Sequence, residues 1–263
     1  MSADEAHRQA LEAGHPSYID PDTGYAVFTR ATLEARGKCC GCGCRHCPFQ
    51  HTNVPVTERA QRIQNAAWLT DPNDVATIGL SWSGGKDSFL ALRALEREYP
   101  DQSIALFTTF DDRTRVVAHQ EIAINDVVRQ ASALGKALLG IPLTSQRNYF
   151  EQVGAGLELL PRLQTLAFGD LHLSHIRTWR EACFAPLTEQ GVRLLFPIWQ
   201  VPYDTLMADF MASGARSEVS AVTHPALADR VGCDFGPAFV AALPDGVDAF
   251  GENGEFHTRI IPA

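Results

Sequence analysis

The stretch SWSGGKDS, residues 81–88, decides the fold of this chain. The six residues before it, 75–80, are apolar and rich in β-branched side chains, which is typical of a buried parallel strand. In residues 89–99, apolar side chains recur at helical spacing opposite charged ones. The stretch is therefore predicted to be a glycine turn that joins the end of a strand to the start of a helix.

This turn has the chemistry of a phosphate-binding site. Two glycines allow backbone N–H groups to approach a ligand closely, and the first helical turn adds unpaired N–H groups and a positive dipole end. Ser83 and Ser88 add hydroxyls, and Lys86 adds a full charge. The pattern is not a Walker A loop, because the lysine stands one position too late after Gly79 and Gly84.

The hexapeptide Ser83–Ser88 resembles the SGGxDS loop of the PP-loop ATP pyrophosphatases. This resemblance implies cleavage of ATP between its α and β phosphates, with ATP and Mg²⁺ as cofactors. Lys86 and Mg²⁺ would neutralise the charge that grows on the departing pyrophosphate. The residues predicted to bind the cofactor at this loop are Ser83, Gly84, Gly85, Lys86, Asp87 and Ser88, of which Lys86 and Asp87 are also predicted to be catalytic.

Strand and helix patterns alternate after the loop. Residues 103–110 and 137–143 have the pattern of buried strands, and residues 114–134 have that of a helix. The alternation predicts an α/β fold: a Rossmann-like (HUP-type) parallel sheet with helices on both faces, whose ligands lie at the carboxyl ends of its strands. Thr108, Thr109 and Asp111 fall at such an end and are predicted to surround the adenosine.

Further carboxylates lie towards the C-terminus. Asp170 ends a short strand and is predicted to bind Mg²⁺ or to orient the substrate, because Mg²⁺ on phosphates needs only one or two protein carboxylates. In residues 251–258, glycines alternate with Glu252, Glu255 and His257. We expect this loop to present those three side chains to the acceptor substrate, although a solvated hairpin would have a similar sequence. All four residues are predicted to be catalytic.

The order of these motifs is similar to that in the diphthine–ammonia ligase family of PP-loop ATPases, over roughly residues 75–263. The motifs that carry the resemblance are Phe168–His172 with Arg177 and Glu181, then Phe196–Trp199, then Gly251–Thr258. The resemblance implies an amide-forming ligase that adenylates a carboxylate, releases pyrophosphate, and lets ammonia or an amine displace AMP. It also implies a smaller C-terminal α+β substrate domain. The predicted division is 1–60 for a Cys-rich segment, 70–190 for the ATP-binding domain and 191–263 for the substrate domain.

Five of the seven cysteines fall within nine positions, at Cys39, Cys40, Cys42, Cys44 and Cys47. A reducing cytoplasm disfavours disulfides, so these thiols are predicted to bind zinc or an iron–sulfur cluster. Redox-active thiols and cysteines without a ligand are the alternatives. Residues 25–48 resemble a small cysteine-rich domain of unknown function that is found beside such ATPases.

The overall composition is that of a soluble globular chain. It has 263 residues and a net charge of −9, with no apolar run of transmembrane length and no signal peptide. We therefore expect a cytoplasmic protein without a membrane partner, and the acidic balance argues against nucleic acid as a partner. A homodimer is left open.

Two functions compete with the ligase. The first is transfer-RNA thiolation, in which a PP-loop enzyme adenylates a nucleobase carbonyl and uses a cysteine-bound cluster. The second is a non-catalytic ATP-binding module with a zinc-binding interaction domain.

Overall fold

The structure is a computed structural model that describes residues 1–118, 120–145 and 147–262. Its strands are β1 (Ser17–Ile19), β2 (Ala26–Phe28), β3 (Ala67–Trp68), β4 (Ile78–Ser81), β5 (Ile104–Asp111), β6 (Val116–Val117), β7 (Ile122–Ala123), β8 (Leu138–Leu143), β9 (Thr165–Ala167), β10 (Arg193–Leu195), β11 (Arg216–Val222) and β12 (Phe256–Ile261). Its α-helices are α1 (Ala3–Glu12), α2 (Arg30–Glu34), α3 (Val56–Arg62), α4 (Lys86–Glu98), α5 (Ile124–Ala133), α6 (Tyr149–Leu157), α7 (Ser174–Cys183), α8 (Ala185–Glu189), α9 (Tyr203–Ala212) and α10 (Pro237–Ala241), with a 3-10 helix at Pro225–Leu227.

The central sheet has six strands in the order β10-β9-β4-β5-β8-β3. All neighbours pair in parallel except β3, which runs antiparallel to β8 at one edge. From β4 the chain builds outwards through β5 to β8, then crosses to the other side of β4 for β9 and β10. The order therefore reverses between β4 and β9, which is where sheets of this type bind ligands.

Both faces of the sheet are packed with apolar side chains. Ile78 and Leu80 of β4 share one buried cluster with residues of α4 and α5. Phe107 and Leu139, from β5 and β8, share another with residues of α6 such as Val153. Strands covered on both faces need apolar residues on both sides, which explains their continuous apolar sequence. The prediction of a mixed α/β fold with a mainly parallel sheet is confirmed.

The helix predicted over residues 114–134 is wrong in its first half. The structure has the antiparallel pair β6 and β7 there, and the helix α5 begins only at Ile124. Arg115 and Glu121 adopt positive φ angles of 60° and 54°, which a continuous right-handed helix does not allow. The β-branched Val116 and Val117 suit the extended backbone.

The C-terminal strands pack against the glycine turn. β11 and β12 form an antiparallel pair with an irregularity between Val219 and Ala221. The backbone N–H of Ile260 in β12 donates to the Gly84 carbonyl at 2.8 Å, which ties this pair to the turn after β4. β10 lies within residues 191–263 but pairs with β9 in the central sheet.

The N-terminal segment lies at the carboxyl edge of the sheet. Asp22 and Arg45 face Asp112, which follows β5, and Thr144, which follows β8, across a small cavity of about 60 Å³. The cysteine-rich segment and the glycine turn therefore lie on the same edge, because parallel strands end on one side. Within the described ranges, no helix is long and apolar enough to cross a membrane.

Candidate functional site

The glycine turn has the geometry that the sequence predicts. β4 ends at Ser81, Gly84 has a φ of +84°, and helix α4 begins at Lys86. A Cβ atom on Gly84 would lie 2.8 Å from the Gln130 Oε1 atom, so both the backbone angle and the space require glycine there. The turn is thus built with its backbone close to neighbouring groups.

A buried glutamine, which the sequence analysis did not single out, fixes the turn. Gln130, on α5, accepts a hydrogen bond from Trp82 Nε1 at 3.0 Å. Its Nε2 donates to the carbonyls of Gly84 at 3.0 Å and Ile260 at 2.8 Å. One side chain therefore joins the turn, α5 and β12, and only the tertiary fold brings these groups together.

A cavity of about 220 Å³ opens where the strand order reverses. It lies between the turn after β4 and the Gly169-Asp170 segment after β9; a Cβ on Gly169 would come within 2.9 Å of the Asp87 carbonyl oxygen. The predicted residues that line it are Ser83, Lys86, Asp87, Ser88, Asp170, Glu252 and His257. The other predicted residues of the nucleotide and acceptor sites are not among the described residues of the lining: Gly84, Gly85, Thr108, Thr109, Asp111 and Glu255.

Asp87 has one carboxylate oxygen that accepts no hydrogen bond from the part of the chain that the structure describes. Its Oδ2 accepts a hydrogen bond from Lys86 Nζ at 2.9 Å, while its buried Oδ1 has no partner among the described residues. Burial raises the pKa of Asp87, although the Lys86 charge opposes that rise. A carboxylate oxygen with an unused acceptor position is the type of ligand that a hard cation takes, so Mg²⁺ fits this position.

Asp170 lies across the same cavity and is held by an arginine. Arg180 Nε and Nη2 donate to the two oxygens of Asp170 at 2.5 and 3.0 Å, as a bidentate pair. Arg180 also stacks over the Phe168 ring at 4.2 Å. The carboxylate is therefore oriented by α7, and Arg180 is a site residue that the sequence analysis did not name.

The loop that precedes β12 is organised by two carboxylates. Asp248 accepts hydrogen bonds from the Tyr203 hydroxyl and from the backbone N–H groups of Phe250 and Glu252, at 2.8 to 3.1 Å. Glu255 is 8% exposed and accepts from the backbone N–H groups of Asp248 and Asn253 and from the Asn253 side chain. Burial opposes the ionisation of Glu255, but these donors outweigh it and lower its pKa.

Glu252 lies only three residues from Glu255, but its surroundings shift its pKa in the opposite direction. Burial and the nearby Asp87 charge raise the pKa of Glu252 to about 7. Its carboxyl group therefore changes protonation near neutral pH, which is the range in which a general acid or base works. Of the two glutamates predicted in this loop, Glu252 lines the cavity and Glu255 faces its own loop.

A second cavity of about 580 Å³ adjoins the first. The two share Asp170, Glu252, Gly254 and His257, and the second adds the apolar side chains of Leu173 and Ile176. This larger space therefore combines polar and apolar side chains, as small-molecule pockets commonly do.

Thr108 and Asp111, which are predicted to surround the adenosine, do not line the cavity beside the glycine turn. Thr108 is 1% exposed, and its Oγ1 has no hydrogen-bond partner in the described part of the chain. Asp111 accepts from the backbone N–H groups of Arg113 and Thr114 at 3.0 and 2.7 Å, which stabilises the turn after β5. Contact with adenosine remains a prediction for these residues.

The clustered cysteines form two close pairs. The Sγ atoms of Cys40 and Cys44 are 3.2 Å apart, and those of Cys39 and Cys47 are 3.8 Å apart. Cys39 Sγ accepts the Gly41 N–H at 3.4 Å. The Cys42 backbone N–H lowers the pKa of Cys40, whereas burial raises that of Cys44 to about 12. Cys40 is therefore the better prepared of this pair to ionise.

The donor set fits a thiolate-bound metal. His51 follows Cys47 closely in sequence, is 1% exposed, and has no partner for either ring nitrogen among the described residues. In the described ranges, however, no three or more such side chains are already arranged to hold one ion. Binding would therefore require the two thiol pairs to move towards a common centre.

We expect anaerobically purified protein to carry about one zinc ion or one iron–sulfur cluster per chain. Elemental analysis with an assay for acid-labile sulfide separates the two. Replacing Cys47, which belongs to the close pair with Cys39, by serine should abolish the bound metal, whereas replacing the distant Cys183 should not. Equal metal content in both variants would contradict the assignment.

Two comparisons with known proteins bear on this site. Residues 6–53 match the model of a family of unknown function (DUF5522), which covers the cysteine cluster but less than half of the chain. A solved structure, the U34-tRNA thiolase NcsA from Methanococcus maripaludis with its 4Fe-4S cluster, resembles this chain at 12% identity. That match has a TM-score of 0.33 and covers 75% of this chain and 70% of that one.

These comparisons change the functional prediction. The solved structure is a thiolase, and neither comparison supports the diphthine–ammonia ligase family. The prediction of an amide-forming ligase is therefore corrected, and the thiolation alternative takes its place below. The expected cysteine-rich segment of unknown function is matched by the family model.

Proposed function

We propose that this chain is a PP-loop ATP pyrophosphatase that activates a nucleobase carbonyl of transfer RNA for thiolation. ATP would transfer its AMP group to the carbonyl oxygen and release pyrophosphate. A sulfide donor would then attack the same carbon through its sulfur, and AMP would leave with the oxygen. The product would contain a carbon–sulfur double bond in place of the carbon–oxygen one.

The observation that carries the proposal is the cavity between β4 and β9. It combines a glycine turn, a helix start, the hydroxyls of Ser83 and Ser88, and an Asp87 oxygen that has no partner within residues 1–118, 120–145 and 147–262. The turn and helix start supply N–H groups for phosphates, and Asp87 and Asp170 would hold Mg²⁺, which neutralises charge on the leaving pyrophosphate. Glu252, with its pKa near neutral, would move a proton during the attack.

The cysteines favour sulfur as the group transferred. Five thiols lie in a segment that packs at the carboxyl edge of the sheet, where the phosphate turn also lies. If they bind a metal or cluster, Cys39, Cys40, Cys44 and Cys47 would hold it, and it would present sulfur at this edge. Amide formation would not need such a group.

The test uses ATP labelled in the α phosphate, with and without total transfer RNA and a sulfide donor. We expect AMP and pyrophosphate whose formation depends on transfer RNA, and a thionucleoside after digestion and mass spectrometry. Formation of ADP and phosphate would contradict the cleavage site. Pyrophosphate release without dependence on RNA would contradict the acceptor, and no release with any acceptor would favour the non-catalytic ATP-binding module.

A further inference from the structure

The Lys86 ammonium group is enclosed by the C-terminal segment. Lys86 is only 2% exposed, and its Nζ donates to the Phe250 carbonyl at 2.5 Å and to Asp87 Oδ2 at 2.9 Å. The rings of Phe235, Phe250 and Phe256 surround it, with their centroids 5.4, 5.4 and 5.5 Å from Nζ. We refer to these three rings as the aromatic box.

These contacts satisfy the charge without any ligand. A desolvated ammonium gains from aromatic faces and from a charge-assisted hydrogen bond, and a buried cation without partners is strongly disfavoured. To contact a phosphate instead, Lys86 would have to give up the Phe250 carbonyl and its position between the rings. The native contacts therefore oppose a role as a mobile phosphate ligand.

Neighbouring contacts join the same two surfaces. The Lys86 backbone N–H donates to Thr258 Oγ1 at 3.1 Å, and the Ile260 N–H donates to the Gly84 carbonyl at 2.8 Å. A Cβ atom on Gly85 would lie 3.0 Å from the Thr258 carbonyl oxygen. The C-terminal strand β12 thus covers one side of the turn, and Lys86 extends from the turn into the segment that leads to this strand.

We propose that Lys86 is a positioning residue whose buried ammonium holds residues 248–258 against the glycine turn. Through the Phe250 carbonyl and the aromatic box, it fixes the loop that carries Glu252 at the cavity. The charge of a bound phosphate is then met by the amides of the turn, the serine hydroxyls and a cation at Asp87. This role differs from that of the phosphate-neutralising lysine that the sequence predicts.

Two measurements on Lys86→Met test this role without using turnover. Methionine keeps most of the length and the apolar stem, and it removes the charge. We expect backbone amides of residues 250–256 to exchange with deuterium about tenfold or more faster than in the wild type, since a charged hydrogen bond and cation–π contacts are lost. The Kd for inorganic pyrophosphate with Mg²⁺ should stay within about threefold, because no charged phosphate contact is removed.

Two further variants keep the test valid if Lys86→Met is poorly folded. Phe235 belongs to the aromatic box but does not line the cavity. Phe235→Leu should therefore accelerate exchange in the same segment and leave pyrophosphate binding unchanged. Lys86→Arg retains a cation and should recover most of the protection. Circular dichroism melting curves identify any variant that is globally unfolded.

Unchanged exchange at residues 250–256 in folded Lys86→Met would overturn the proposal. A loss of pyrophosphate affinity of tenfold or more in that variant would also overturn it and assign Lys86 to the phosphates. Failure of the wild-type protein to bind pyrophosphate would count against the proposed function, while the exchange comparison would still decide the role of Lys86.

Discussion

Asp87→Asn is expected to slow AMP formation by about a hundredfold or more, the effect typical of losing a metal ligand or a charged transition-state contact. Asparagine has the same shape, and its carbonyl oxygen can still accept the hydrogen bond from Lys86. It removes the charge from the buried oxygen that has no partner among the described residues. The activity that remains should require a higher Mg²⁺ concentration, which steady-state rates over a magnesium titration would show.

The same variant should change stability little. Burial in the folded protein disfavours the charged form of Asp87 and raises its pKa. A neutral asparagine avoids the free-energy cost of burying that charge. Loss of the charge opposite Lys86 acts the other way, so the two effects oppose each other, and Lys86 keeps the Phe250 carbonyl and the aromatic box as partners. A large loss of activity with a nearly unchanged melting temperature is the pattern of a functional residue.

Asp209→Asn is the matched control. Asp209 also bonds to cations, since its Oδ1 accepts from Arg93 and Arg97 at 2.7 to 3.2 Å, but it does not line the cavity. That variant should keep its turnover and its magnesium dependence. If Asp87→Asn retains turnover within about threefold of the wild type, Asp87 does not hold the metal.

Local sequence signals predicted the part of the site that one strand and one helix build. The strand before Ser81, the glycine turn and the helix after Gly85 are neighbours in sequence, so their periodicity and turn residues were sufficient. The same reasoning failed at residues 114–123. Apolar residues there are compatible with helical spacing, and only the tertiary fold places Arg115 and Glu121 at positive φ.

The residues that contact the predicted site residues could not be predicted from local sequence patterns. Gln130 reaches the turn from 46 residues further along the chain, and the Phe250 carbonyl meets Lys86 across 164 residues. Spacing within a motif carries no information on such pairs. The sequence therefore predicted Lys86 and Glu255 to be catalytic, which stays a prediction for Glu255, but the aromatic box around Lys86 and the loop hydrogen bonds of Glu255 required the structure.

Glu252→Gln and Glu255→Gln are expected to shift stability in opposite directions as the pH rises. The pKa of Glu252 in the folded protein is raised to about 7 from an ordinary value of 4.5. Its favourable contribution is therefore complete below pH 4.5 and is lost as the pH rises through 7. At pH 8, Glu252→Gln should be more stable than the wild type by about 1 to 2 kcal/mol, once solvent screening of this partly exposed group is allowed for.

Glu255 has the reverse linkage. Its pKa in the folded protein is lowered below the ordinary 4.5, so its contribution is present above that value and is lost as the pH falls through the folded pKa. Glu255→Gln weakens charge-assisted bonds from Asp248 and Asn253, and it should cost about 2 kcal/mol at pH 8. The cost should shrink on acidification below pH 4.5.

Thermal unfolding of both variants and the wild type, without nucleotide, between pH 4 and 8.5 checks the pair. The two substitutions are chemically identical and only three positions apart, so general effects of pH on the chain cancel in the comparison. If Glu252→Gln is more stable than the wild type but loses turnover, the Glu252 carboxylate lowers stability and is required for activity. Equal stability changes in the two variants at pH 8 would show that burial and the Asp87 charge do not raise the pKa of Glu252. Its proposed role in proton transfer would then lose its support.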